Sequence, residues 1–279
     1  MTAPADRPDW LDQFPWPDDD THKHARGRLA VVSGGLHSTG AARLAARAGL
    51  RIGAGLVKVY APPPAVPVLA AALEAVMLEP FDGADDLATR ARQMDAIVIG
   101  PAAGLDEETI DNLHALAGTG AVLVVDADAL SVFEGRAEAL FSLLDRDDVL
   151  TPHRGEFARL FPDLADLPSV EAAPRAAERA DAVVLLKGPE TVIAAPDGRI
   201  CINPTGTPWL ATAGSGDVLA GLIGGLAAQR MDSFAAASAA AWIHGEAARR
   251  FGPGLISEDL PDRIPAVLAG LAPDRLKSV

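Results

Sequence analysis

The chain has 279 residues, of which 49% are hydrophobic, so it can bury a large core in one α/β domain. Its formal net charge of −14 excludes a surface built to bind nucleic-acid phosphates or an anionic membrane, because either would need a basic field. The single cysteine, Cys201, excludes an internal disulfide framework and predicts a reducing compartment, the cytoplasm.

The N-terminal segment, residues 1–21, is rich in proline and acidic residues and is predicted to be an arm that precedes one catalytic domain at 22–279. It lacks the basic start and apolar stretch of a secretory signal. Trp10, Phe14 and Trp16 give the arm side chains that can dock. Two interpretations stay open: the arm packs on a neighbouring subunit, or it is a mobile tail.

Valine- and isoleucine-rich runs then alternate with alanine-rich segments of helical period. The run "RLAVVSGG" precedes "TGAARLAARAGL", "LVKVYAP" precedes "AVPVLAAALEAV", and "DAIVIGPAAG" precedes "DEETIDNLHALA"; "AVLVVDADAL" is the next run. Continuous apolar runs separated by helices are typical of parallel strands that are buried on both faces. We therefore predict a three-layer α/β/α fold with a mainly parallel central sheet.

The rhythm changes from Ala182 onward. Three short strands, within "AVVLLKG", "ETVIAA" and "GRICIN", are joined by the turn sequences "PET" and "PDG", which predicts an antiparallel extension of the sheet. Two alanine-rich helices follow, at about 216–229 and 233–250. The longest apolar runs are well short of the roughly 20 residues that cross a bilayer, so we expect no membrane span.

Polar loops follow five of the predicted strands: "SGG", "GPAAG", "DAD", "TPHRGE" and "KGPET". Ligands of open α/β sheets bind at the carboxyl ends of the strands. Each loop has an ordinary explanation as a turn, but together they predict a site at one edge of the sheet.

The stretch "ATAGSGDVLAG" brings Gly214, Gly216 and Asp217 to the start of an apolar helix. Its glycines allow close approach of a ligand, and first-turn amides have no partner inside the helix. Asp217 either performs chemistry beside a bound anion or simply favours the helix dipole. The chain lacks both standard glycine motifs for nucleotides, the phosphate loop ending in Gly-Lys-Ser/Thr and Gly-x-Gly-x-x-Gly after the first strand. It also lacks the metal-binding patterns His-Glu-x-x-His and paired cysteines.

Lys187 follows a buried strand in a chain with only four lysines, so it either meets a phosphate or reaches solvent. His153 and Glu156, in "TPHRGEFARLF", either contact substrate, or Glu156 favours the helix dipole and His153 is a loop residue. Asp126 and Asp128, in "VVDADAL", either organise water or a divalent cation or cap the next helix.

His244, in "AAAWIHGEAA", is interpreted as a satisfied core histidine because it lies on an apolar helix. Cys201 is interpreted as a core residue and not as a nucleophile. The remaining histidines have no spacing typical of metal ligands.

Seven segments occur in a fixed order: "HKHARGRLAVVSGG...TGAARLAARAGLRIGAGLVKVYAP", "AIVIGPAAG", "VVDADAL", "LTPHRGEFARL", "VVLLKGPETVIAAPDG", "TGTPWLATAGSGDVLAG" and "AWIHGEAA". In this order they resemble the ADP-dependent NAD(P)H-hydrate dehydratases, a ribokinase-like family, over roughly residues 22–269. The pattern from "KGPET" through "GSGDVLAG" is specific to them, whereas the glycine-aspartate motif alone is shared with ribokinase-like kinases.

The resemblance implies a repair reaction. Reduced nicotinamide cofactor that has added water, in its S form, is phosphorylated on the new hydroxyl by ADP, and phosphate is then eliminated. NADH or NADPH is regenerated, with AMP and phosphate as the other products. The resemblance also implies Mg²⁺ as cofactor and a homotetramer.

The resemblance further assigns residues by their positions in the matching motifs. Asp217 is implied to be the base and to contact substrate, together with Ala41, Gly104 and His153. Nucleotide binding is implied for Lys187, Gly188, Pro189, Glu190, Thr191 and Gly216. We expect Asp217 to be ionised at neutral pH, because a helix N-terminus favours the carboxylate.

Two segments depart from the family pattern. The chain has "GPAAG" where the family usually has Gly-Pro-Gly-Leu-Gly, and "HRGE" where it has His-Pro-Gly-Glu. Gly104 and His153 are retained, and Arg154 either adds a contact to the dinucleotide or faces solvent.

Two alternative functions remain open. The first is a ribokinase-like kinase of a small alcohol, such as a thiazole or hydroxymethylpyrimidine vitamin precursor, which would leave a stable phosphomonoester. The second is a nucleotide-binding sensor without catalysis, and the intact Asp217 argues against it.

Overall fold

The computed structural model describes residues 8–277 and contains one nine-stranded sheet. Its strands are β1 (Arg28–Val32), β2 (Leu56–Ala61), β3 (Met77–Pro80), β4 (Ala96–Ile99), β5 (Val122–Val125), β6 (Val149–Leu150), β7 (Val183–Leu186), β8 (Thr191–Ala194) and β9 (Ile200–Asn203).

The α-helices flank this sheet and connect its strands. They are α1 (Thr39–Ile52), α2 (Val66–Ala70), α3 (Ala84–Ala91), α4 (Glu107–Ala117), α5 (Asp128–Ser131), α6 (Ala137–Phe141), α7 (Arg154–Leu160), α8 (Ser169–Ala180), α9 (Ser215–Ala228), α10 (Ser233–Phe251), α11 (Leu260–Leu271) and α12 (Asp274–Lys277). Short 3₁₀ turns occur at Asp9–Gln13, Pro63–Ala65, Pro162–Leu164, Pro208–Leu210 and Ser257–Asp259.

The strand order is β3-β2-β1-β4-β5-β6-β7-β8-β9. All pairs from β3 to β7 are parallel, and β8 and β9 add antiparallel strands beyond β7. The mainly parallel sheet with an antiparallel extension, predicted from the sequence, is confirmed. The two predicted alanine-rich helices correspond to α9 and α10.

Hydrophobic cores lie on both faces of the sheet, so the predicted three-layer arrangement is also confirmed. One core joins the sheet to α1, α9, α10 and α11, and the other joins it to α3, α4, α7 and α8. Alternate residues of β1 enter opposite cores, because successive side chains of a strand point to opposite faces.

The close contact between α1 and α9 fixes the position of the α9 N-terminus. A Cβ atom at Gly221 would lie 2.1 Å from the Ala45 carbonyl oxygen, so only glycine allows the two helices to approach this closely. The apolar residues of α9 are buried on all sides, since the helix lies between the sheet, α1 and α10. This packing directs its first turn to the carboxyl edge of the sheet.

The segment "AVPVLAAALEAV" was predicted to be helical throughout, and this prediction is wrong in its second half. The helix spans only Val66–Ala70, and edge strand β3 begins at Met77. Pro80 ends β3, a position tolerated because an edge strand has one unpaired side.

The arm packs on its own chain where the structure describes it. Trp10 and Phe14 are buried, and the Trp10 ring lies 5.8 Å from that of Trp242 on α10. Residues 1–7 lie outside the described residues, and the domain boundary at 21/22 stays a prediction. No helix within residues 8–277 is long and apolar enough to cross a membrane.

We expect Trp10→Ala to lower the free energy of unfolding by about 3 kcal/mol, because it removes a buried indole and leaves a cavity beside Trp242. Urea denaturation measures this loss. The matched control is Trp209→Ala, which removes an indole that is 44% exposed and should cost less than about 1 kcal/mol. Equal losses in the two variants would contradict docking of the arm.

Candidate functional site

A cavity of about 590 Å³ opens at the carboxyl ends of β6 and β7, beside the N-terminus of α9. This volume is in the range of small-molecule binding sites. It is lined by His153, Lys187, Gly188, Pro189, Thr191, Asn203, Gly206, Thr207, Pro208, Leu210, Ala211, Ser215, Gly216, Leu219, Ala241 and His244.

The loops after β1, β4, β5, β6 and β7 lie along the same edge, as the sequence predicts. The Lys187 amide donates to the Pro152 carbonyl at 2.8 Å, which joins the β6 and β7 loops. A Cβ atom at Gly100 would lie 1.8 Å from the Asp126 carbonyl oxygen, and one at Gly34 would lie 1.8 Å from that of Ala102. Glycine is therefore required where these loops touch.

The first turn of α9 presents unpaired backbone donors. Gly214 precedes the helix with φ of +87°, a conformation that favours glycine, and it supplies no side-chain cap. Among the described residues, no acceptor is bonded to the N–H groups of Gly216 or Asp217. These donors, together with the helix dipole, form a site suited to an anion.

Lys187 lies next to this turn and is held by Asp126. Its Nζ donates to Asp126 Oδ1 at 2.7 Å, and the Asp126 side chain is only 2% exposed. A Cβ atom at Gly216 would lie 3.4 Å from the same Nζ, so the ammonium faces the α9 N-terminus. Burial opposes the lysine charge, yet the carboxylates of Asp126, Glu156 and Asp217 keep its pKa above the ordinary value.

Asp217 has an unusual electrostatic environment. Burial and the nearby carboxylate of Asp126 raise its pKa to about 6, while Lys187 opposes the rise. The carboxyl is therefore mostly ionised at pH 7, as expected, although burial outweighs the helix dipole. A carboxylate with this pKa is suited to accept a proton near neutral pH.

Asp126 and Asp128 bind different partners, and the backbone of the residue between them is strained. Ala127 has φ of +51°, rare for a residue other than glycine. Asp126 binds Lys187, whereas Asp128 Oδ2 accepts from the Gly104 amide at 3.0 Å. Neither carboxylate caps α5. Within the described residues, no group of three or more His, Cys, Asp or Glu side chains is arranged to hold a metal ion.

His153 and Glu156 form the N-terminal cap of α7. The His153 Nδ1 accepts from the amides of Gly155 and Glu156, and Glu156 Oε2 accepts from the His153 amide. Burial raises the pKa of Glu156, and the positive charge of Lys187 opposes this rise. The His153 ring remains 54% exposed and lines the cavity, so capping and ligand contact are compatible. Arg154 is exposed and does not line the cavity, as the solvent-facing alternative predicts, and its guanidinium donates to Ser169 and to the Leu167 carbonyl.

The implied site residues fall into two groups around the α9 N-terminus. Of the implied nucleotide residues, only Glu190 does not line the cavity. Ala41 and Gly104 lie outside it: Ala41 is in the first turn of α1, and Gly104 is on the loop after β4. Gly104 has φ of +104° and is bonded to Asp128, whose charge acts on Asp217. Asp217 itself is not in the cavity wall, although Lys187 of that wall and Asp128 beside Gly104 both act on its charge.

Sequence reasoning missed several cavity residues. Asn203, Leu219, Ala241 and His244 line the cavity, and the interpretation of His244 as a satisfied core histidine is wrong, since its Nε2 has no hydrogen-bond partner among the described residues. A histidine on an otherwise alanine-rich helix was the available signal.

The sequence and fold can be compared with those of known proteins. A family model described as NAD(P)H-hydrate dehydratase matches residues 29–265. The chain is 36% identical to the ADP-dependent (S)-NAD(P)H-hydrate dehydratase of Xanthomonas campestris, covering 91% of this chain and 92% of that protein. The chain belongs to the NAD(P)H-hydrate dehydratase family.

Other members of this family are longer. The chain is 40% identical to the bifunctional NAD(P)H-hydrate repair enzyme of Moorella thermoacetica, covering 93% of this chain and 52% of that one. It thus spans about half the length of the bifunctional relatives that it matches.

Solved structures agree with the family assignment. A ribokinase-like superfamily protein from Enterococcus faecalis matches with a TM-score of 0.84 at 25% identity, covering 94% of this chain and 95% of that one. The ADP/ATP-dependent NAD(P)H-hydrate dehydratase of Bacillus subtilis, co-crystallised with ATP and Mg²⁺, matches with a TM-score of 0.80 at 26% identity, covering 94% and 96%. The fold is therefore ribokinase-like.

We expect Lys187→Met to lower the free energy of unfolding at pH 7 by about 3 kcal/mol, because it leaves the buried Asp126 carboxylate unpaired. The loss should shrink as the pH falls towards 4. Burial raises the pKa of Asp217 and of Glu156, and Lys187 opposes both rises, so ionising these carboxyls costs more in the variant and their protonation removes that cost. Chemical denaturation at several pH values measures this dependence.

The control for this prediction is Lys58→Met. Lys58 is paired with Glu79, which also binds Arg90 and so keeps a partner in the variant. Its loss should be smaller and depend less on pH. A pH-independent loss in Lys187→Met would contradict the assigned interaction of Lys187 with the carboxylates of Asp217 and Glu156.

Proposed function

We propose that this chain repairs hydrated nicotinamide cofactors: it uses ADP to dehydrate the S form of hydrated NADH and NADPH, giving NADH or NADPH, AMP and phosphate. The observation that carries the proposal is the position of Asp217: it lies in the first turn of α9, next to free amide donors, and the charges of Lys187 in the cavity wall and of Asp128 beside Gly104 act on it. Family membership and the ADP-dependent name of the Xanthomonas campestris relative support the same reaction.

The nucleotide occupies the cavity in this proposal. Its terminal phosphate lies at the amide groups of Gly216 and Asp217, beside the Lys187 ammonium. The remainder of the nucleotide extends along the segment Lys187–Thr191, which supplies cavity wall from Lys187, Gly188, Pro189 and Thr191. Glu190 lies at the exposed rim.

The hydrated cofactor approaches from the opposite side of Asp217. Gly104, on the loop after β4, and Ala41, in the first turn of α1, contact it there, and His153 contacts it from the β6 loop. The amide of Gly104 is fixed by Asp128, so this loop is preorganised. The two alanines of "GPAAG" precede Gly104 and leave its backbone conformation intact.

Asp217 acts as the general base. Its carboxylate takes the proton of the substrate hydroxyl, and the hydroxyl oxygen attacks the terminal phosphorus of ADP, which releases AMP. The fixed amides and Lys187 stabilise the charge on the phosphoryl group in transit. Elimination then breaks the carbon–oxygen bond: phosphate leaves, a proton is lost from the adjacent ring carbon, and the double bond of the reduced ring is restored.

Mg²⁺ is proposed to arrive with the nucleotide. The carboxylates at the site are bonded to Lys187 and to the Gly104 amide, whereas Mg²⁺ commonly binds through substrate phosphates and retained waters. The Bacillus subtilis relative was crystallised with ATP and Mg²⁺. The homotetramer and the cytoplasmic location stay predictions.

The direct test mixes the purified protein with hydrated NADH, ADP and Mg²⁺. We expect the absorbance of reduced nicotinamide to return, with one phosphate released for each molecule repaired. A small-alcohol kinase would instead leave a phosphomonoester. If absorbance returns with neither ADP nor ATP, the proposed reaction is wrong.

Asp217→Asn should reduce turnover at least about 100-fold, since the amide cannot accept the hydroxyl proton. ADP binding should be retained or strengthened, because a negative charge near the phosphates is removed. Calorimetric titration with ADP provides the control that the variant is folded and binds. Turnover within tenfold of wild type would remove Asp217 as the base.

The pH dependence follows from the same carboxyl. The base must be ionised, so kcat/KM for the hydrate should rise with pH through about 6, or somewhat higher with nucleotide bound, and then level off. The measurement runs from pH 5 to 8 at saturating Mg²⁺ and ADP, with circular dichroism at each pH to verify folding. A rate that stays constant down to pH 5 would contradict this role.

A further inference from the structure

His244 lies on α10 and lines the cavity one turn after Ala241. The residue is only 5% exposed, and its Nε2 has no hydrogen-bond partner among the described residues. Buried polar side-chain atoms in proteins are rarely left without a partner, so this atom requires an explanation. Its position in the wall of a ligand cavity supplies one.

The position of His244 is fixed by neighbouring bonds. The Asn203 amide donates to the Ala241 carbonyl at 3.2 Å, and the Thr205 hydroxyl donates to the Trp242 carbonyl at 3.0 Å. A Cβ atom at Gly245 would lie 2.3 Å from Thr205 Oγ1, so α10 packs directly on the loop that follows β9. The imidazole is therefore held at the cavity wall by its helix.

The imidazole is neutral at pH 7. Burial lowers the pKa of His244 to about 4; the backbone of Ser215 opposes this shift and the positive charge of Lys187 adds to it. A neutral imidazole has one nitrogen that donates and one that accepts. The same interactions place the ring near the first turn of α9 and near Lys187.

We propose that His244 binds a hydroxyl of the nucleotide sugar and so makes the site prefer ribonucleotides over deoxyribonucleotides. This inference rests on the proposed function, because it requires a nucleotide in the cavity. It adds a specificity-determining contact on a helix that carries none of the residues implied by the sequence motifs.

A sugar hydroxyl fits this position better than the other polar groups of a nucleotide. Phosphate oxygens only accept hydrogen bonds, and Lys187 with the α9 amides already provides donors for them. The sugar adjoins the phosphates along the nucleotide, and His244 lines the same cavity as Lys187 and Ser215. A hydroxyl both donates and accepts, and it satisfies Nε2 in either tautomer of the ring.

The test compares the binding of ADP, 2′-deoxy-ADP and 3′-deoxy-ADP, each with Mg²⁺, by isothermal titration calorimetry. Wild type should bind one of the two deoxy nucleotides about tenfold more weakly than ADP, because the missing hydroxyl leaves the buried Nε2 of His244 unpaired. His244→Phe keeps the ring volume and should bind all three nucleotides alike. His244→Gln places a polar group near the Nε2 position and should restore part of the preference.

Two controls separate recognition from structure. Ser238→Ala removes another buried polar group of α10, a hydroxyl that donates to the Phe234 carbonyl, and should keep the preference. The melting temperature of ligand-free His244→Phe should stay close to that of wild type, since removal of the unpartnered Nε2 offsets loss of the ring's bond to the Ser215 backbone.

Three outcomes decide between the explanations. The inference is supported if the preference for ADP is present in wild type and lost in His244→Phe. It is overturned if wild type binds ADP and both deoxy nucleotides equally, or if His244→Phe keeps the preference. Failure of wild type to bind ADP or ATP at all would instead contradict the proposed function.

Discussion

One ammonium group, that of Lys187, lies among the carboxylates of Asp126, Glu156 and Asp217, and the site depends on this excess of negative charge. The buried Asp126 fixes the lysine, so Asp217 is only partly compensated and its pKa rises to about 6. The same imbalance would repel an anionic nucleotide. Free amides at the α9 N-terminus, and cations that arrive with the nucleotide, offset that repulsion.

The packing of α9 fixes where its N-terminus lies relative to these charges. Gly221 lets α9 lie against α1, and Gly214 starts the helix in a conformation that glycine adopts without strain. The result is a helix start with Gly216 on the cavity wall and Asp217 as the next residue, under the influence of the Asp126 and Asp128 charges. In the proposed function, a phosphoryl donor in the cavity and the substrate hydroxyl meet at this helical turn, as transfer between two bound substrates requires.

Much of the fold followed from the hydrophobic pattern. Buried parallel strands appear as continuous apolar runs, and the segments between them have the period of a helix. The edge strand β3 was missed, since its residues are partly exposed and preceded by an alanine-rich stretch. At the site, motif spacing identified Lys187 and Asp217, but spacing carries no information about partners. The Lys187–Asp126 bond joins residues 61 positions apart, and the unpartnered state of His244 depends on the packing of α9, α10 and the loop after β9.

The account stands on transfer of a phosphoryl group to the substrate hydroxyl before water is lost. Hydrated NADH labelled with ¹⁸O in that hydroxyl tests this step most directly, with ³¹P NMR of the released phosphate as the measurement. The account predicts one ¹⁸O atom in each phosphate, because the hydroxyl oxygen becomes the bridging oxygen of the ester and leaves with phosphorus. Unlabelled phosphate, with the ¹⁸O recovered in water, would contradict it.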